Sequence, residues 1–125
     1  MPKYVVRPKV DKSKGEEITR YYGVPITSQQ ITLEYMAREA CEQSSLTEPD
    51  FIAAINTMSA LMRKHLANGD TVFIKDLGLF TISASSNGCD SPEECTPAKV
   101  KAKRICFKAD KRLRAILEKI KFELK

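Results

Sequence analysis

The fifteen residues NGDTVFIKDLGLFTI, from Asn68 to Ile82, most constrain the fold, because a helix stop, a strand, a tight turn and a second strand follow one another without slack. Asn68 and Gly69 close an apolar helical pattern, and glycine supplies the left-handed backbone that a helix C-terminus favours. Asp70 to Ile74 then turn β-branched and aromatic, Asp76, Leu77 and Gly78 interrupt the run, and Leu79 to Ile82 resume it. A helix feeding a kinked β-ribbon implies an α+β chain.

The helix that ends there is the second of a pair. Thr32 is a plausible N-cap for a first helix carrying Leu33, Met36, Ala37, Ala40 and Cys41 at helical spacing, and Ser44 and Ser45 interrupt it. Thr47 caps the second, with Glu48 in its first turn, Pro49 where a missing N–H costs nothing, and Asp50 three residues beyond the cap. Phe51, Ile55, Met58, Met62 and Leu66 line one side of this helix, while Ile52, Ala54 and Leu61 occupy others. A helix apolar on two sides packs against two things. In a chain of 125 residues, large enough for one domain with a modest core, the second is most economically another copy of itself. The expected homodimer interface comprises Phe51, Ile55, Met58, Met62 and Leu66, joined by Phe80 from the ribbon.

Charge is unevenly placed. Residues 1–28 carry six basic and three acidic side chains, residues 29–98 four and ten, and residues 99–125 eleven and three, so the net of +5 conceals a basic C-terminal fifth. A one-sided field of this kind attracts polyanions. The stretch 83–98 between ribbon and basic segment has no lysine or arginine and contains Asp90, Glu93 and Glu94, and it reads as a loop with one helical turn from Ser91 to Cys95 begun by Pro92. Lys99 to Phe107 reads as a strand whose alternation is imperfect, and Asp110 as the N-cap of a last helix that buries Leu113, Ile116, Leu117 and Ile120.

The first residues form a separate element. Tyr4–Arg7 and Arg20–Ile26 are β-prone around a polar turn from Asp11 to Glu17, giving an expected division into an N-terminal β-hairpin extension at 1–29 and a main domain at 30–125. A two-stranded hairpin needs something to pack on. Four cysteines lack any close pair: Cys41 and Cys106 read as thiols on apolar faces, and Cys89 and Cys95 as incidental loop thiols rather than a disulfide or metal site. No run spans a membrane or has signal-peptide form, and a cytoplasmic protein is expected. His65 is the one histidine, with no Ser/His/Asp set, metal-ligand cluster or phosphate-cradling loop, so neither catalysis, a cofactor nor a small-molecule substrate is expected.

The segments SLTEPDFIAAINTMSALMRKHLANGDTVFIKDLGLFTI (45–82) and FKADKRLRAIL (107–117) resemble the HU/IHF family of bacterial histone-like nucleoid proteins, over about residues 30 to 120, and in particular an HU-related branch with an N-terminal extension and a reduced arm. The resemblance implies an intertwined homodimer with two N-terminal helices, a three-stranded saddle and a basic C-terminal helix. It further implies a non-enzymatic, nucleoid-associated protein that binds and condenses double-stranded DNA with little sequence specificity. HU and IHF are themselves standard examples of architectural proteins whose arms enter the minor groove and wedge apolar side chains between base pairs. This chain departs from the family at the arm, which here is acidic. Pro92 and Pro97 read as turn prolines, and the family's Phe-Lys-Pro-Gly turn is FKAD at 107–110. Lys103, Lys108, Lys111 and Arg114 match family positions near the DNA backbone, and Lys101, Arg104 and Arg112 are additional cations beside them. Such side chains neutralise phosphates and release counterions. The alternative is an HU-like scaffold turned to a structural or protein-interaction role.

Overall fold

The computed structural model describes residues 1–13 and 15–125. Strands β1 (Lys3–Asp11) and β2 (Ile18–Ile26) precede helices α1 (Leu33–Gln43) and α2 (Glu48–Ala67). Strands β3 (Val72–Ile74), β4 (Gly78–Ser86) and β5 (Val100–Ala109) follow, then a short helix α3 (Lys111–Arg114) and a terminal strand β6 (Glu123–Leu124). Two three-stranded sheets result, in the orders β2-β1-β6 and β3-β4-β5. Lys14, inside the polar turn expected between the first two strands, lies outside the described residues.

Both helices begin as their caps dictate. The Thr32 hydroxyl accepts from the Tyr35 N–H at 3.3 Å and the Thr47 hydroxyl from the Asp50 N–H at 3.2 Å, each satisfying a donor that the first turn leaves unpaired. Ser44 ends α1 by donating its hydroxyl to the Ala40 carbonyl at 2.7 Å. At the end of α2, Gly69 takes φ +84°, its N–H donates to the Leu66 carbonyl, and the Asp70 N–H donates to the His65 carbonyl. These two bonds make a Schellman motif. Where that motif usually adds an apolar contact, His65 Nδ1 instead lies 3.2 Å from Asp70 Oδ2, which gives the only histidine a structural partner.

The C-terminal part departs from expectation. The closing helix has one α-turn, continues as a 3₁₀ turn over Ala115–Glu118, and gives way to β6, which runs parallel to β1 in the hairpin's sheet. Ile116, Leu117 and Ile120, expected to be buried, are 51%, 66% and 39% exposed, so within the single chain the apolar stripe of a longer helix has nothing to pack on, and short helices gain most of their stability from packing. The Glu123 N–H donates to the Pro2 carbonyl, the Lys125 N–H to the Tyr4 carbonyl, and Lys3 pairs with Glu123 at 2.9 Å. Strand β4 also runs further than expected, through Ser86.

The expected core is largely missing from the single chain. Among the described apolar side chains only Ala37 and Leu66 are buried. The chain exposes 10837 Å², whereas a folded monomer of 14.1 kDa exposes about 6,700 Å².

Candidate nucleic-acid interface

Strands β4 and β5 carry the candidate surface, and an irregularity in their pairing organises it. Ser83 pairs with Arg104 while Ala84 pairs with Ala102, so Lys103 is an extra residue in β5. Such a bulge reverses the in–out alternation of everything beyond it. Without it, odd-numbered Lys101 and even-numbered Arg104 and Lys108 would lie on opposite faces. With it, all three share the face of Ser85, Ser83 and Leu79, their partners on β4. The same shift gathers Val100, Ala102, Ile105 and Phe107 on the other face, opposite Ser86, Ala84, Ile82 and Phe80. The result is a ribbon with one cationic and one apolar side. The imperfect alternation in VKAKRICFK was the signal of this bulge, since its apolar residues change from even to odd positions at Lys103.

The apolar side is anchored by Phe80 and Phe107, stacked with ring centroids 4.8 Å apart. Gly78 is buried beneath them, and a Cβ there would collide with the Lys108 carbonyl and the Phe107 ring. Phe51, Ile55, Met58 and Met62 are half-buried along α2, whereas Leu66 is covered within its own chain. Cys106 does not lie on the apolar side as the sequence suggested: it pairs with Thr81 on the cationic face. Cys41 is exposed, Cys89 donates weakly to the Asn87 carbonyl at 3.6 Å, and all four thiols are unbridged.

The remaining cations sit at the join of β5 and α3. Asp110 caps α3, with Oδ1 accepting from the Lys111 N–H at 2.8 Å, and its Oδ2 accepts from the Asp76 N–H at 3.1 Å. Its own N–H donates to the Leu77 carbonyl. Asp76 holds φ +67°, a left-handed conformation that aspartate tolerates better than most residues. Asp110 therefore braces the strained turn between β3 and β4 as well as the helix, a second role that sequence reasoning missed. Arg112 donates to Asp76 Oδ2 at 3.3 Å, so one of the seven candidate cations already has a carboxylate. Lys101, Lys103, Arg104, Lys108, Lys111 and Arg114 have no ion pair among the described residues.

Between β4 and β5 the arm spans residues 87–99 and holds two 3₁₀ turns, Pro92–Glu94 and Pro97–Lys99, each opened by its proline. Glu94 folds back to accept from the Asp90 N–H at 3.3 Å. No group of metal-binding side chains occurs among the described residues.

HU-HIG, the family described as an HU domain fused to a wHTH, Ig or glycine-rich motif, matches residues 2–124. The chain belongs to this HU-HIG family. Among solved structures it is similar to a Bacteroides vulgatus protein described as "a Putative bacterial DNA binding protein", with TM-score 0.60 and 15% identity over 98% of this chain and 49% of that one. It spans about half the length of that protein. It is also similar to Anabaena HU from an HU–DNA cocrystal, with TM-score 0.52 and 15% identity over 70% of this chain and 97% of that one. At these identities the likeness establishes an HU-like fold. No curated protein matches the chain.

Proposed function

We propose that this HU-HIG chain is a non-enzymatic homodimer of the nucleoid that binds and condenses duplex DNA with little sequence preference. The observation that carries the reading is the bulge at Lys103, which collects Lys101, Arg104 and Lys108 on one side of the ribbon and leaves them without carboxylate partners among the described residues. Lys111 and Arg114 follow on α3, just past the end of β5, and are likewise without an ion pair among the described residues. Such a surface reads phosphates and not base edges, so affinity without sequence specificity follows. The Anabaena HU structure is a cocrystal with DNA, which makes DNA the natural ligand class for the shared fold.

The dimer is supported by the surface arithmetic and by the uncovered apolar side of α2 and the ribbon. The acidic arm takes no part in minor-groove wedging in this reading, since Asp90, Glu93 and Glu94 would meet phosphates with repulsion and both prolines begin 3₁₀ turns. In the described residues no helix is long and apolar enough to cross a membrane. A second reading, a scaffold for protein contacts, draws on the face of the hairpin that carries Tyr4, Val6, Pro8, Val10 and Tyr21 without a charge.

The test is a titration of a fluorescent duplex of about 30 base pairs by anisotropy across salt. Three face cations on each of two protomers contribute roughly 5 to the steepness of the log–log slope, a contribution that Lys101→Ala, Arg104→Ala and Lys108→Ala together should remove. Absence of binding at low salt would move the function to protein partners.

A further inference from the structure

The N-terminal hairpin has two chemically opposite faces. The register opposes Val5 to Val24, Arg7 to Tyr22, Lys9 to Arg20 and Asp11 to Ile18, and these side chains share one face with Lys3. The other face carries Tyr4, Val6, Pro8 and Val10 against Pro25, Gly23, Tyr21 and Thr19, with no charge among them. All the cations of the two strands are therefore on one side.

Their arrangement is costly for a merely solvated hairpin. Lys9 and Arg20 are directly opposite, and like charges in that position destabilise a strand pair. Arg7 stands two residues along on the same face, about 6.8 Å from Lys9 at strand rise, close to the separation of successive phosphates on a nucleic-acid strand. Lys3 is neutralised by Glu123 and Lys12 by Glu17, but Arg7, Lys9 and Arg20 have no ion pair among the described residues. Asp11, at the turn end of the face, accepts from the Ser13 N–H at 2.9 Å, which with the Ser13 hydroxyl holds its carboxyl below the usual aspartate range. It is committed to its own turn. Tyr22, 48% exposed, stands opposite Arg7 and two residues from Arg20 on the same face, and with Arg7, Pro8, Lys9 and Val24 it lines a shallow hollow of about 380 Å³. A tyrosine hydroxyl is a phosphate donor in its own right.

We infer that this face of the hairpin, built on Arg7, Lys9, Arg20 and Tyr22, is a second contact surface for the phosphate backbone of duplex DNA, lengthening the footprint of the ribbon. The inference rests on the DNA-binding reading above. A polyanion turns the repulsion of Lys9 and Arg20 into attraction for a shared partner, and the register keeps every cation of the two strands on the one face that would meet it.

The experiment compares three proteins, each spanning residues 1–125, by duplex anisotropy across salt: wild type, Arg7→Gln/Lys9→Gln/Arg20→Gln, and Lys101→Ala/Arg104→Ala/Lys108→Ala. The hairpin variant should bind more weakly on every sequence, with a salt slope shallower by about 2.7 for each hairpin engaged. Its thermal stability should equal or exceed that of wild type, because a like-charge pair has been removed, whereas a structural role for these residues would lower it. Arg7→Lys/Arg20→Lys should retain the slope. An unchanged hairpin-variant slope, with the ribbon variant impaired, overturns this inference alone. A reduced hairpin-variant slope with an unimpaired ribbon variant supports the hairpin and overturns the ribbon reading. No duplex binding by wild type at low salt overturns both.

Discussion

Dilution should unfold this protein. The single chain exposes about 4,000 Å² more than a folded monomer of its mass. If only half of that excess lies at the subunit contact, the dimer still buries about 4,000 Å² in total, within the range of obligate interfaces and beyond that of transient ones. With Ala37 and Leu66 as the only buried apolar side chains among the described residues, a separated protomer has almost no core to keep it folded, so dissociation and unfolding should be one event. Two chains of 125 residues unfolding together absorb about 175 kcal/mol near the midpoint. Each tenfold dilution is worth about 1.4 kcal/mol per dimer, which with that enthalpy lowers Tm by about 3 °C. Circular dichroism melts from micromolar to millimolar protein should therefore span about 9 °C. A midpoint constant over that range, with a monomeric mass in light scattering, would refute the reasoning. Met58→Lys places a charge on the half-buried side of α2 and should weaken the dimer by about 3 kcal/mol, over a hundredfold. A dimeric mass for that variant at unchanged concentration would remove this side of α2 from the interface.

Other perturbations test the ribbon and its supports. Gly78→Ala forces a methyl into the Phe107 ring and the Lys108 carbonyl at φ +159°, and urea unfolding should show a loss of about 1–3 kcal/mol. Asp110→Ala removes the cap of α3 and the brace of the Asp76 turn together, costing about 1–2 kcal/mol, yet it deletes a negative charge among cations. Stability should fall while DNA affinity at low salt holds or rises; loss of both would show that the turn positions the cationic face. The lowered Asp11 pKa means that its contribution to the hairpin turn is present above the ordinary aspartate range and is lost as pH falls through the folded value. An NMR titration should place the Asp11 midpoint below that of a peptide covering residues 9–17, and equal midpoints would dismiss the Ser13 contact.

Much of the scaffold was legible because local chemistry fixes it. Thr32 and Thr47 start helices for want of N–H partners, and Asn68-Gly69-Asp70 stop one because glycine alone among them takes φ +84° cheaply. The cationic face was legible only as composition. Lys101, Arg104 and Lys108 could be named, but whether they share a side depends on a one-residue bulge whose signature, the parity change at Lys103, is weak in a strand of ten residues. Asp110 read as a cap and nothing more, since Asp76 is 34 residues away.

By itself, the sequence determined where the first two helices begin and end, where the ribbon turns, and that positive charge gathers near the C-terminus, because capping, glycine conformation and charge count are properties of neighbouring residues. Tertiary structure alone decided that the last strand leaves its helix to join the hairpin, that a bulge sorts cations from apolar residues, and how much of its apolar surface a single chain leaves uncovered. Each of these depends on register or burial between segments distant in sequence, where free energies of pairing outweigh local preference.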